Sequence, residues 1–252
     1  MTAVPDFDDA DAAHRRRAWR DGLGVALATS AYGVSFGALA VAAGLDVWQT
    51  CVLSLLMFTG GSQFAFAGVI GAGGIAAIPA AIASATLLGV RNIAYGMRMS
   101  PVIGTGLWRR AAAAHFTIDE STAVSLAQTS RRARLIGFWV TGIGIYVGWN
   151  ISTLAGALLG DVLGDPRAYG LDAAAAAAFL ALLWPRLRQR QPIVVGAAAA
   201  VVATVLTPVM MPGIPVLVAA VVAIVVGWTN WLGRDERPPP EPEDVPEREG
   251  LP

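Results

Sequence analysis

From Val47 to Val90 the chain carries no charged side chain. A helix needs about 20 apolar residues to cover the ~30 Å hydrocarbon core of a bilayer, so this run has room for two. Gly22–Ala43, Leu135–Gly160 and Ile214–Trp231 are further long apolar runs. Of the 252 residues, 55% are hydrophobic and only 14% are charged, against about 25% charged in soluble domains. A bilayer admits only helices or closed barrels, because every backbone N–H and C=O must be satisfied internally. Runs this long read as helices. The expected fold class is an all-α polytopic membrane protein with about eight helical segments, and seven as the smaller count.

Residues 1–21 form a polar N-terminal segment, in which Asp6, Asp8, Asp9 and Asp11 precede Arg15, Arg16, Arg17 and Arg20. The membrane domain is expected over 22–232. Its segments are Gly22–Ala43, Val47–Ile70, Ile75–Met99, Ala111–Thr129, Leu135–Gly160, Leu171–Trp184, Pro192–Thr207 and Ile214–Trp231. Residues 233–252, rich in Pro and Glu, read as a disordered tail. Ala111–Thr129 is too polar to face lipid and reads as a helix inside the bundle or a partial re-entrant one. Gly144, Gly148, Ser152, Gly156 and Gly160 recur every four residues, a small-residue stripe suited to close helix packing. A faint internal echo pairs Ser35–Ala40, ahead of Gly44-Leu45-Asp46, with Ser152–Ala157, ahead of Gly170-Leu171-Asp172.

Positive clusters favour the cytoplasmic side of a membrane. With eight crossings both termini lie inside, and so do the Arg clusters at 15–20, 131–134 and 186–190. Arg98, Arg109 and Arg110 then fall outside and count against the scheme. If Ala111–Thr129 does not cross, the downstream clusters lose their match.

Polar groups stand out where helix should be uniformly apolar. Thr59, Gly60, Gly61, Ser62 and Gln63 interrupt the charge-free run, and Phe64 follows them. Paired glycines weaken a helix and permit a kink or a break, so the second segment is expected to be discontinuous. Freed backbone and side chains there suit a small polar solute. Interhelical hydrogen bonding is the competing reading. Arg91, Asn92 and Tyr95 suit a carboxylate, although a structural salt bridge from Arg91 to Asp119 or Glu120 is nearly as good an explanation. Asp119 and Glu120 are adjacent acids, so they point about 100° apart on a helix. In a low dielectric a carboxyl group's neutral form gains over its charged form, which suits this pair to proton coupling or to amine recognition. Trp149 and Asn150 interrupt the fifth segment and either line the same cavity or pack.

Several classes are excluded. The formal net charge is zero, so no basic surface offers itself to nucleic acid. Cys51 is the only cysteine and the two histidines, His14 and His115, are far apart, so neither a disulfide within the chain nor a metal site is expected. No phosphate loop, dinucleotide fingerprint or metalloprotease motif is present. The chain is expected to be neither an enzyme nor a cofactor protein. No secretory signal is evident, since the first apolar run reads as a spanning helix.

Three motifs carry a family resemblance. Phe58-Thr59-Gly60-Gly61-Ser62-Gln63-Phe64, Arg91-Asn92-Ile93-Ala94-Tyr95-Gly96-Met97 and Thr117-Ile118-Asp119-Glu120-Ser121 occur in that order. They resemble the AzlC family, the large subunit of branched-chain amino acid exporters, over about Trp19 to Trp231. Gly61 and Asn92 stand where the family commonly has Ser and His. The resemblance implies secondary-active export of leucine, isoleucine, valine and in some cases methionine, driven by protons across a bacterial cell membrane. It also implies a small AzlD-like membrane subunit as partner and leaves room for a higher-order oligomer. A channel for small solutes and a purely structural membrane subunit are the rival classes.

Overall fold

The computed structural model describes residues 7–163, 190–211 and 213–229, with 180, 184 and 187 as single positions. Among the described residues the chain is helical and has no β-strand. The helices are α1 (Phe7–Ala31), α2 (Gly33–Ala42), α3 (Val47–Leu56), α4 (Gly60–Gly73), α5 (Ile78–Gly89), α6 (Arg91–Ile103), α7 (Leu107–His115), α8 (Asp119–Leu126), α9 (Arg131–Leu163), α10 (Arg190–Leu206) and α11 (Ile214–Thr229), with a 3-10 turn at Gly74–Ala77. The eight expected segments correspond to α1–α2, α3–α4, α5–α6, α7–α8, α9, α10 and α11, with the sixth, Leu171–Trp184, mostly outside the described residues. The tail at 233–252 and the second half of the Gly170-Leu171-Asp172 echo also lie outside them. Helix α1 begins at Phe7, inside the polar segment expected over 1–21.

The small-residue stripe of α9 sets the core. A Cβ on Gly144 would stand 2.8 Å from Ala26 Cβ, and one on Gly160 would stand 3.0 Å from Ala38 Cα. At Gly148 it would collide with Ser30 and at Gly156 with the Val34 backbone. The contacts advance together along both elements, so α1–α2 runs parallel to α9. One end of this pair is basic: Arg132 reaches Asp11 at 3.8 Å and Gln128 reaches Asp21 at 3.4 Å.

The second and fourth segments do not run end to end. Helix α3 starts at Asp46, beside the far end of α2, and its capping box with Gln49 fixes that start. It descends to mid-height, where Tyr146 Oη donates to Leu55 O at 3.4 Å. The chain turns at Met57–Thr59, and α4 climbs back until Gly71 packs against Ala43. Helices α7 and α8 do the same from the basic end. Helix α7 leaves Gly104, which lies beside the Arg131 guanidinium, and reaches Phe116, which packs on Gly142. Helix α8 returns, with Val124 against Gly137 and Ser125 Oγ donating to Arg134 O at 3.0 Å.

The chain thus repeats one unit in opposite directions. A broken long element, α1–α2, is followed by the hairpin α3–α4 entering from the far end. A second broken element, α5–α6, runs the other way and is followed by α7–α8 entering from the basic end. Helices α2 and α6 start at Gly33 and Arg91, 58 positions apart, and the hairpin turns carry Phe58-Thr59 and Phe116-Thr117, again 58 apart. Oppositely directed repeats with broken helices are a common plan for transporters.

This path corrects the expectation for Arg98, Arg109 and Arg110. Helix α6 ends at the basic end, where Arg131 Nη2 donates to Val102 O at 3.1 Å. Arg109 borders the same apolar groove as Trp19 and Leu135. The physical reason is that the second and fourth segments turn back at mid-height. These arginines therefore join the clusters at 15–20 and 131–134.

Among the described residues, three helical runs are long and apolar enough to cross a membrane: Asp11–Ala42, Gly60–Ile103 and Arg131–Val162. The outer surface matches, with Leu27 74%, Val162 84% and Trp228 89% exposed, an apolar display unsuited to water.

Candidate functional site

Three of the four chain breaks meet at one place. A water-sized void of about 20 Å³ is lined by Tyr32 from the α1–α2 break, Phe58, Thr59 and Gly60 from the first hairpin turn, Ile118 and Glu120 from the second, and Trp149 of α9. Each break has a local cause. Gly33 passes so close to α9 that a Cβ would stand 3.1 Å from Trp149 O. At the first turn Thr59 is extended (φ −159°, ψ 103°), and Gln63 Nε2 satisfies the freed carbonyls of Met57 at 2.7 Å and Ser54 at 3.3 Å. At the second, Ile118 is extended (φ −127°, ψ 174°). Ser121 Oγ donates to Phe116 O at 2.7 Å and accepts from Ile118 N at 3.1 Å. Each turn is therefore closed by a polar side chain from the first turn of its own returning helix.

Around the void lies an aromatic wall. Tyr32 stands edge-on to Trp149 with centroids 4.9 Å apart, and Phe36 stands edge-on to Phe64 at 5.6 Å. The hairpin tips touch: Phe58 lies 5.8 Å from His115 and 6.2 Å from Phe116, and Tyr146 packs on all three.

The charged centre is beside this wall. Arg91 Nη1 lies 3.1 Å from Asp119 Oδ2, and a Cβ on Gly61 would stand 3.0 Å from Arg91 Nη2. The guanidinium is thus held between the first turns of α4 and α8. Its Nε is buried without a partner, as is Asn92 Oδ1. From Asp119 a cleft of about 730 Å³ runs between α6 and α8, past Tyr95, Thr122 and Arg98.

The structure therefore sorts the residues singled out in the sequence. Gly61, Arg91 and Asp119 converge. Thr59, Gly60, Glu120 and Trp149 line the void, and Tyr95 lines the cleft. Other candidates spend their polar atoms on the scaffold. Ser62 Oγ donates to Ala85 O at 2.8 Å, and Asn150 Nδ2 donates to Tyr146 O at 2.7 Å. Gln63 is fully buried, and its Oε1 accepts from Trp149 Nε1 at 2.8 Å in addition to its two donated bonds. Phe64 belongs to the aromatic wall. Tyr32 was missed, and Ser121, quoted only within its motif, and Thr122 were not singled out as site residues, although the recurring Phe-Thr pair at 58-residue spacing marks the second turn. No group of three or more metal-ligating side chains occurs among the described residues.

No curated protein and no solved structure matches the chain. The family described as AzlC protein matches residues 24–163, which is more than half of the 252 residues and contains both hairpins and the charged centre. The chain belongs to the AzlC family.

Proposed function

We propose that this protein is the large subunit of a secondary-active exporter of branched-chain amino acids: leucine, isoleucine, valine and also methionine. It sits in the bacterial cell membrane with its basic end in the cytoplasm and works with a small AzlD-like membrane subunit. The AzlC family is associated with branched-chain amino acid export, and the long apolar helical runs suit a membrane setting. The observation that carries the reading is the meeting of two oppositely directed hairpins at the Arg91–Asp119 pair. An α-amino acid is a zwitterion with a carboxylate for Arg91 and an ammonium group for Asp119. Guanidinium and carboxylate pair in a planar, two-bond geometry that an ammonium cation cannot reproduce. Binding between two tips that approach from opposite ends allows one tip to withdraw while the other stays closed, which is alternating access. Glu120 faces the void and not Arg91, and in this reading it carries the coupling proton.

Counterflow of labelled leucine or valine into liposomes, with and without the small subunit, tests the proposal. Exchange is expected with the subunit present. Absence of exchange in both preparations would sink the exporter reading. A channel would show flux but no uphill accumulation in a pH gradient. Glu120→Gln is expected to lose pH dependence while keeping exchange, and an unchanged pH dependence would remove Glu120 from the coupling role.

A further inference from the structure

The cleft between α6 and α8 is larger than the Arg91–Asp119 contact needs. Helix α6 places Arg91, Tyr95 and Arg98 at i, i+4 and i+7, on one face and about 10 Å from first to last. Helix α8 places Asp119 and Thr122 at i and i+3. All but Arg91 line the cleft. Arg98 is the residue nearest the basic end, because α6 runs toward that end. It has no ion-pair or hydrogen-bond partner among the described residues. Thr122 is 4% exposed, and its Oγ1 has no hydrogen-bond partner. A buried hydroxyl without a partner costs stability unless something else uses it. Met97 and Leu126 supply apolar walls beside these polar groups.

We propose that this cleft is a staging site, in which Arg98 holds the carboxylate of an incoming α-amino acid before it passes to Arg91, and the Thr122 hydroxyl joins it by a χ1 turn out of its buried, unpartnered position. The apolar side chain lies against Met97 and Leu126 meanwhile. This inference rests on the amino acid reading above and adds a direction to it. The staging site serves loading from the basic end, because the cleft between α6 and α8 runs from Asp119 toward that end. An anionic lipid headgroup presents the same oxyanion chemistry to Arg98, so the test separates the two sources.

The experiment uses the full chain with its small subunit in vesicles made only of neutral lipid, with leucine supplied from one side at a time. Arg98→Gln is expected to raise the half-saturating leucine concentration at the basic side about tenfold, the loss of one partly exposed charged hydrogen bond. The maximal rate from the basic side and the half-saturating value at the opposite side stay unchanged, and because no substitution can move the overall equilibrium, the maximal rate from the opposite side falls by the same factor. Thr122→Val shifts the same quantity about threefold, and Arg98→Lys restores part of the loss. Equal shifts from both sides would overturn the staging site. So would an effect confined to vesicles containing anionic lipid, which would make Arg98 a headgroup anchor. Equilibrium binding of leucine and of leucinamide, which lacks the carboxylate, needs no turnover. Wild type is expected to prefer leucine, and Arg98→Gln to narrow that preference. A preference unchanged by Arg98→Gln defeats the staging site alone, whereas a wild type that binds no leucine defeats the exporter reading as well.

Discussion

Arg91 Nη1 lies 3.1 Å from Asp119 Oδ2 while its other terminal nitrogen rests against Gly61. One side chain on a long element thus touches the returning helices of both hairpins. The pair is partly open, with 34% and 27% of the two side chains exposed, so its contribution to stability is small and its position matters more.

A double-mutant cycle on Arg91→Gln and Asp119→Asn is therefore expected to give a coupling energy in unfolding of about 1 kcal/mol, as for partly exposed pairs. Counterflow behaves differently. Either single change abolishes it while leaving the protein folded, and the charge swap Arg91→Asp with Asp119→Arg keeps the fold but does not recover exchange. Exchange surviving in either single variant would remove the pair from the substrate path.

Gly61 provides the second test. A Cβ there would meet the end of a flexible side chain and not backbone, so the helix tolerates it. Gly61→Ala is expected to change stability by less than about 1 kcal/mol but to lower counterflow at least about tenfold, by displacing the guanidinium from Asp119. Unaltered exchange in Gly61→Ala would show that the guanidinium needs no such support.

Gly156 shows the opposite balance. A Cβ there collides with the Val34 backbone, which has no rotamer with which to yield. Gly156→Ala is expected to cost about 3 kcal/mol by forcing α1–α2 away from α9, read as early loss of the folded state in a denaturing-detergent titration. The same substitution at Gly24, whose added Cβ meets nothing within 4 Å, serves as the control.

The same residues show what could be read from the sequence. The stripe from Gly144 to Gly160 was legible because close packing leaves a strict four-residue period. The break near Gly60 was legible because glycines and hydroxyls interrupt an apolar run. The path of the broken segment was not. Val47–Ile70 has the length of one crossing, and only tertiary contacts such as Gly71 on Ala43 reveal that it doubles back. Gln63 was misleading in a different way. A buried amide in an apolar run suggests a solute site, yet its atoms are used by Met57, Ser54 and Trp149. Chemistry alone does not distinguish a group that awaits a ligand from one that closes a turn.

Gln63 accordingly has a structural prediction. Gln63→Leu leaves the Trp149 indole N–H and the Ser54 carbonyl without the bonds that Gln63 gives them, while the Met57 carbonyl keeps its bond from Thr59 N at 2.8 Å. The expected cost is about 2 kcal/mol or more, with a shift in Trp149 fluorescence as its surroundings change. Trp149→Phe, which removes the donor together with its bond, is expected to cost less at Gln63 itself while opening space beside Gly60.

The hairpin tips supply the test of movement. Phe58 and Phe116 stand 6.2 Å apart at the meeting point of two elements that enter from opposite ends. If transport requires one tip to withdraw while the other stays, a covalent link between them must stop it without harming the fold. Cysteines at 58 and 116, in a Cys51→Ser background, are expected to join through a short bifunctional thiol reagent. The linked protein should retain its thermal stability and lose counterflow, and a cleavable reagent should return the activity on reduction. The unlinked double variant controls for loss of the two rings, whose packing on Tyr146 contributes about 0.5–1.5 kcal/mol per aromatic pair. A linked protein that still exchanges leucine would mean that the tips move as one body, and the opposed hairpins would then be scaffold and not gates.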